Sequence, residues 1–190
     1  ENNDVSHFRL SIHLLIAFII LSLILWNYLK IKNISLSSRK INLLYPYLFL
    51  LLILGQIVIG AFVSGMDAGK IYNSWPLMGT SYFPNDNIFI DLFSLEAFSN
   101  PSLVQFIHRN LAYFIVFFYF LTLNKILKEK LKVFFTIIKW IGLLLILQIF
   151  LGILTILYDA QMFFASMHQI SSIFLVSSII YYLFLNRKTS

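Results

Sequence analysis

The sequence predicts an all-α integral membrane protein with five transmembrane helices, of which the last four form an antiparallel four-helix bundle. Two observations lead to this prediction. First, 59% of the 190 residues are hydrophobic and only 12% are charged, a smaller charged fraction than a soluble domain of this length carries. Second, the apolar residues are gathered into five separate stretches, which is the pattern of membrane spans and not of one large soluble core.

Each apolar stretch is close to the ~20 residues that a helix needs to cross the hydrocarbon core. The stretches cover residues 8–29, 41–65, 103–124, 140–158 and 161–185. Backbone polar groups cannot stay unpaired in lipid, so we expect each stretch to be helical, and none has the alternating polarity of a β-barrel strand. We divide the chain into residues 1–40, one helix and the loop after it, and residues 41–190, the bundle with a long loop over residues 66–102.

The charged residues indicate which ends of the helices lie on which side of the membrane. Eleven of the 14 Lys and Arg residues follow the first and third stretches or end the chain: Lys30, Lys32, Arg39, Lys40, Lys125, Lys128, Lys130, Lys132, Lys139, Arg187 and Lys188. Seven of the eight acidic residues lie at the opposite helix ends: Glu1, Asp4, Asp67, Asp86, Asp91, Glu96 and Asp159. The positive-inside rule places the basic loops and the carboxyl terminus on the cytoplasmic or matrix side. A net charge of +6 that is sorted in this way indicates topology, and we expect no nucleic-acid partner.

The long loop over residues 66–102 is rich in aromatic and turn residues. Its segment 88–98 is apolar and contains two acids, a composition that suits a short helix lying on the membrane surface. An ordered loop packed over the helix ends is the alternative.

The second and fourth stretches share a pattern. Residues 56–60 (Gln-Ile-Val-Ile-Gly) match residues 148–152 (Gln-Ile-Phe-Leu-Gly), and Asp67 and Asp159 each lie seven positions beyond the glycine. Each of these stretches precedes another that has a histidine in its first turns. The chain therefore resembles two helical hairpins of one type, and two such hairpins close naturally into a four-helix bundle whose facing helices can hold a cofactor.

All four histidines lie near the same helix ends: His7, His13, His108 and His168. At about 1.5 Å of rise per residue, His13, His108 and His168 lie roughly 7–11 Å inside their helix starts. An imidazole is a common axial ligand of heme iron, and His108 and His168 match each other within the repeat, so they are the candidate pair. The alternative is a histidine that hydrogen-bonds between helices. His7, at the membrane edge, is structural or solvated.

Other metal sites fit the sequence less well. The chain has no cysteine, which excludes thiolate ligands and disulfides. A zinc site is disfavoured because no carboxylate or cysteine lies at the depth of the three histidines to complete a tetrahedron.

Two arginines lie at the acidic side of the membrane, where the positive-inside rule does not explain them. Arg109 directly follows His108, and Arg9 lies four residues before His13. An anionic partner such as a heme propionate would account for either arginine. Snorkelling toward the interface, or pairing with an acid of the loop, is the alternative.

Four motifs resemble those of one family of membrane enzymes. Residues 60–69 read Gly-Ala-Phe-Val-Ser-Gly-Met-Asp-Ala-Gly, and residues 72–79 continue as Tyr-Asn-Ser-Trp-Pro-Leu-Met-Gly. The other three motifs occupy residues 8–14, 104–113 and 165–169. The four motifs follow one another in the family's order and together cover nearly the whole chain. The chain resembles the carboxyl-terminal part, spans four to eight, of a heme A synthase of the mitochondrial and alphaproteobacterial type.

The resemblance implies a heme-dependent oxidoreductase that oxidises a methyl group of heme o to a formyl group, giving heme a. It implies heme b as cofactor, with its iron bound by His108 and His168 and with Arg109 as a candidate propionate partner. His13 matches a ligand of the substrate heme. No residue receives a catalytic role. The family is similar to two fused four-helix halves, so residues 1–40 would belong to a half whose first three spans are missing, and we expect no turnover of heme o by this chain alone.

The resemblance also implies a location and partners. It implies the bacterial inner membrane, or the mitochondrial inner membrane in a eukaryote, with membrane lipid around the helices. Heme O synthase or assembly factors of cytochrome oxidase are the implied protein partners, and the electron donor is not identified.

Two other functions are compatible with the residues. A bis-histidine membrane cytochrome that only transfers electrons needs the same paired histidines, and only the loop motif over residues 67–78 favours the oxidoreductase. A transporter or a structural membrane subunit without a cofactor is the third class. It is disfavoured because transporter sites lie near the midplane on broken helices, whereas the polar residues here lie at helix ends.

Overall fold

The structure is a computed structural model that describes residues 6–32, 34 and 40–187. Its five α-helices are α1 (His7–Ile31), α2 (Leu44–Gly65), α3 (Pro101–Lys128), α4 (Phe135–Leu157) and α5 (Met162–Leu185). All five are long and apolar enough to cross a membrane. Within the described ranges the regular structure is helical, apart from one isolated bridge between Met78 and Ser81. The predicted fold class and the five predicted spans are confirmed.

Three helices extend beyond their predicted limits, α1 by one or two residues at each end and α3 and α4 by more. α3 continues to Lys128, past residue 124, and α4 begins at Phe135, before residue 140. The prediction counted apolar residues, but a helix can continue into the interface, where water pairs with exposed backbone groups. An ion pair of 2.7 Å between Lys125 and Glu129, one helical turn apart, supports the end of α3.

Contacts between loops and helix ends show which ends lie together. A Cβ added to Gly65, the last residue of α2, would lie 2.9 Å from Cβ of His7, the first residue of α1. Within the long loop, a Cβ added to Gly69 would lie 3.4 Å from Cβ of Ala160, between α4 and α5. The starts of α1, α3 and α5 and the ends of α2 and α4 therefore share one side of the protein, which we call the long-loop end.

At the opposite end, a buried asparagine after α5 pairs with the backbone before α2. The N–H of Ile41 donates to Oδ1 of Asn186, and Nδ2 of Asn186 donates to the carbonyl of Ile41, each over 2.9 Å. The prediction began the second helix at Ile41, but α2 begins at Leu44 because the backbone of Ile41 is paired with Asn186 instead.

The interior is formed by apolar side chains from all five helices: Phe18, Phe49, Ile115, Ile141 and Ile179 are among its buried members. Edge-to-face aromatic pairs join neighbouring helices, with 5.2 Å between the ring centroids of Trp26 and Phe184 and 5.7 Å between those of Phe49 and Phe118. α1 packs against both α2 and α5. The division of the chain after residue 40, and the closure of the last four helices into an antiparallel bundle, stay predictions.

The predicted orientation in the membrane also stays a prediction. Four of the charged residues on which it rests lie outside the described residues: Glu1, Asp4, Arg39 and Lys188. The described lysines after α3 and the described acids of the long loop lie at opposite ends of the helices, as the charge pattern requires.

Candidate functional site

His108 lies about two turns into α3, with its ring against a glycine of α2. A Cβ added to Gly60 would lie 3.1 Å from Cε1 of His108 and 3.7 Å from Nδ1. Any other residue at position 60 would carry a Cβ in this space, and the imidazole would have to shift. The half-buried ring therefore occupies a gap that the glycine makes in the surface of the neighbouring helix.

His168 repeats this arrangement in the second hairpin. It lies about two turns into α5, and a Cβ added to Gly152 of α4 would lie 3.3 Å from Cε1 and 3.7 Å from Nδ1 of the ring. The two pairs, Gly60 with His108 and Gly152 with His168, have the same atoms facing each other at nearly the same distances. The sequence repeat is thus a repeat of local structure.

A glutamine one helical turn before each glycine contacts the same histidine. Nε2 of Gln56 donates to the carbonyl of His108 over 3.0 Å, and Nε2 of Gln148 donates to the carbonyl of His168 over 3.2 Å. Both glutamines belong to the sequence repeat, which by itself indicated no role for them.

The two histidines fit axial ligation of a heme. Nδ1 of His108 and Nδ1 of His168 are buried and have no hydrogen-bond partner among the described residues. Among the described residues, no three His, Asp or Glu side chains gather to hold a metal ion by themselves. A heme iron needs only two ligands from the protein, because the porphyrin supplies four.

Arg109 fixes the long loop over this site. The residue is 7% exposed, and its guanidinium donates to the carbonyls of Tyr72 (3.0 Å), Ser74 (2.9 Å) and Leu77 (3.3 Å). Its Nε is buried without a partner. A propionate, snorkelling or a loop acid was the predicted reason for this arginine, and the carbonyls of the loop are further partners that the structure adds.

Gln105, one turn before Arg109, is a site residue that the sequence analysis missed. It is buried, and its Nε2 donates over 3.1 Å to the carbonyl of Tyr72, which Arg109 also binds. A buried amide in an apolar span requires a polar partner. Its position one turn from an arginine was the signal that could have revealed it.

A carboxylate of the loop is tied to the start of α3. Asp86 accepts hydrogen bonds from Ser102 over 2.6 Å and from the hydroxyl of Tyr72 over 2.8 Å. Burial raises the pKa of Asp86, but the hydrogen bonds from Ser102 and Tyr72 act in the opposite sense, and together with the local backbone they hold this pKa below its ordinary value. Burial and the bond to Asp86 raise the pKa of Tyr72.

The long loop also reaches the second hairpin. The side-chain amide of Asn73 donates to the carboxylate of Asp159 in the turn between α4 and α5. Asp67 and Asp159, the two matching acids of the repeat, both have left-handed backbone, with φ of 51° and 53°. The two acids therefore take matching turns after their helices.

Segment 88–98 forms two short 3₁₀ helices, Phe89–Phe93 and Leu95–Ser99. Phe93 is 76% and Leu95 89% exposed at the surface of the protein. The short-helix prediction is matched in part, since the segment is helical but is divided at Ser94.

The remaining predicted residues lie on α1. His13 and Arg9 are on its exposed face, whereas His108 and His168 each lie half-buried against a glycine of the neighbouring helix. His7 is half-buried, and its ring lies edge-on to Phe62 with 5.5 Å between centroids, which favours the structural reading of this residue.

Comparisons with known proteins give a consistent result. The model of the family described as cytochrome oxidase assembly protein, COX15-CtaA, matches residues 1–180. Heme A synthase of Pelagibacter ubique (strain HTCC1062) is 47% identical over 190 residues, which are 100% of this chain and 55% of that protein. Heme A synthase of Rickettsia prowazekii (strain Madrid E) is 39% identical over 197 residues, 98% of this chain and 57% of that protein.

A third relative, heme A synthase of Wolbachia pipientis wMel, is 39% identical over 191 residues, 97% of this chain and 52% of that protein. The chain thus spans about half the length of the curated relatives that it matches. No solved structure matches it.

Proposed function

The chain belongs to the COX15-CtaA family of cytochrome oxidase assembly proteins and, within it, to the heme A synthases of alphaproteobacterial type, and from this membership we propose that it holds the heme b of an enzyme that oxidises heme o to heme a. The observation that supports the proposal best is the repeated pair of glycine and histidine, Gly60 with His108 and Gly152 with His168. It gives two imidazoles with buried, unpartnered nitrogens at the same end of adjacent hairpins.

In this proposal His108 and His168 would hold heme b, which would supply one-electron transfer when bound. The glycines keep space beside each ring, and the long loop covers this end of the helices and excludes water from it. Arg109 has a buried Nε without a partner and is our candidate for pairing with a propionate. A bis-histidine site suits electron transfer, because it leaves the iron no open position for a substrate.

The reaction itself is oxidation of a methyl group of heme o, with dioxygen proposed as the oxidant. Each of two hydroxylations replaces one C–H bond by C–OH, consumes one dioxygen, two electrons and two protons, and releases one water. The resulting geminal diol loses one water to give the formyl group of heme a. The electrons come from an external donor, and the part that we assign to His108 and His168 is to hold the heme that would relay them.

His13 is our candidate for a ligand of the substrate heme, because it lies at the same end of the helices on a face of α1 that is exposed. We do not expect these 190 residues alone to turn over heme o, since the relatives named for heme A synthesis are nearly twice as long. Membership in this family disfavours the alternative of a cytochrome that only transfers electrons.

The test is an absorption spectrum of the chain, purified in mild detergent with heme supplied, in oxidised and reduced forms. We expect a sharp low-spin b-type spectrum with one heme per chain. His108→Ala and His168→Ala should each abolish it, while His13→Ala should leave it largely intact. Retention of heme by both of the first two variants would refute the assignment of the ligands, and a folded chain without heme would refute the proposed cofactor.

A further inference from the structure

The carbonyl of each histidine accepts a hydrogen bond from outside its own helix. A helical carbonyl already accepts from the N–H four residues later, so a second donor must use its remaining lone pair. Gln56 provides that donor to His108 at 3.0 Å, and Gln148 provides it to His168 at 3.2 Å. The same bond between the same residue types occurs at both members of the repeat.

We propose that Gln56 and Gln148 are positioning residues for the two histidines, an inference that rests on the proposed function. Gln56 and Gly60 are four residues apart and share one face of α2, as Gln148 and Gly152 share one face of α4. In each hairpin the glutamine amide therefore hydrogen-bonds to the backbone of the histidine, while the imidazole packs against the glycine. A slip of one residue between the helices would move the backbone by about 1.5 Å along the axis and turn the ring off the glycine.

The two glutamines differ in their second contact. Nε2 of Gln148 donates to Oγ of Ser171 over 2.9 Å, and that hydroxyl in turn donates to the carbonyl of His168 over 3.0 Å. The carbonyl of His168 thus accepts two hydrogen bonds, one from Gln148 and one from Ser171. The second contact of Gln148 is to Ser171 and not to the imidazole.

Gln56 instead contacts the ring itself. Its Nε2 lies 3.3 Å from Nε2 of His108. An amide nitrogen can only donate, and the bond to the carbonyl of His108 fixes which end of the amide faces the histidine. The contact therefore favours a lone pair on Nε2 and the proton on Nδ1 in the heme-free chain. A metal bound through Nε2 would take over that lone pair and leave Gln56 its bond to the carbonyl of His108. Gln56 sets both position and tautomer, whereas Gln148 sets position alone.

The variants that test this are Gln56→Met and Gln148→Met, which keep the length of the side chain and remove its donor. Gln169→Met is the matched control, because Gln169 adjoins His168 at the same depth but is exposed. Loss of a residue that orients a metal ligand typically weakens metal affinity 10–100-fold. We expect a loss of about that size in heme titrations of both variants and none in the control.

A second measurement does not need heme. Nitrogen NMR of the histidine rings in the heme-free chain should show His108 with its proton on Nδ1, and Gln56→Met should shift that tautomer balance while Gln148→Met and Gln169→Met should not. A wild-type chain that binds no heme but shows this pattern would refute the proposed function and support the role of Gln56. Unchanged heme affinity together with an unchanged tautomer in the Met variants would overturn the inference. If a Met variant does not fold, Gln→Asn at the same position, one methylene too short to reach, carries the same expectation.

Discussion

Gly60 lies so close to the imidazole of His108 that a methyl group on its Cα would come within 3.1 Å of Cε1. The imidazole can pack against α2 at this position only because Gly60 has no side chain. Gly152 stands in the same relation to His168, with slightly more room, at 3.3 Å.

Gly60→Ala should therefore displace the ring of His108 by a few tenths of an ångström and weaken heme binding by about tenfold, as loss of ligand orientation does. Gly152→Ala should have a smaller effect. Gly55→Ala is the control, since Gly55 lies in the same helix as Gly60 and a Cβ there would meet nothing within 4 Å. Heme titration in detergent measures all three, and equal affinities for Gly60→Ala and Gly55→Ala would contradict the prediction.

Arg109→Ala should loosen the long loop, because it removes the donor to three loop carbonyls at once. Hydrogen bonds from charged groups contribute about 1.5–3 kcal/mol, and we expect a loss of stability of at least that size. Hydrogen exchange at the N–H groups of Met78 and Gly79, which donate within this loop, should rise sharply. Arg9→Ala, at the same end on an exposed face, should leave both the exchange and the stability unchanged, and a similar response in the two variants would argue against the anchoring role.

The anchoring of the loop by Asp86 should depend on pH. The pKa of this carboxyl is lower in the folded protein than its ordinary value of 3.8, so its contribution to stability is present above that value and is lost as pH falls through the lower, folded pKa. Thermal unfolding between pH 6 and pH 2 should show this loss, and the step should be reduced in Asp86→Asn. An identical pH profile for that variant would assign the acid sensitivity to other groups.

Asn186→Ala should destabilise the end of the protein opposite the long loop. It leaves the buried N–H and carbonyl of Ile41 without partners, and an unsatisfied buried group costs about 1–3 kcal/mol. Asn27→Ala is the control, because Asn27 is exposed and its side chain donates to the carbonyl of Leu23 within its own helix. Denaturant unfolding in detergent should separate the two variants, and comparable losses would mean that the pairing contributes little.

The sequence allowed the five helices to be predicted because membrane spans are set by composition and length, both of which are local. It also showed the repeat, since Gln56 and Gly60 recur as Gln148 and Gly152 at one spacing. The partners of Arg109 could not be predicted, because they are backbone carbonyls of a loop more than 30 positions away, and carbonyls are present at every residue. Gln105 was missed for the same reason. The roles of the two glutamines require the register between helices, which no spacing within one helix reveals.

The pairing of Ile41 with Asn186 has a consequence for how the protein is made. These residues lie 145 positions apart. At about 5–20 residues per second, the ribosome needs roughly 7–30 s to reach Asn186 after it has made Ile41. During that interval the backbone of Ile41 must be satisfied by water or by the insertion machinery, so the pairing at this end waits for the fifth helix. A chain stalled before Asn186 should remain open at this end, however many of its earlier spans are already in the membrane.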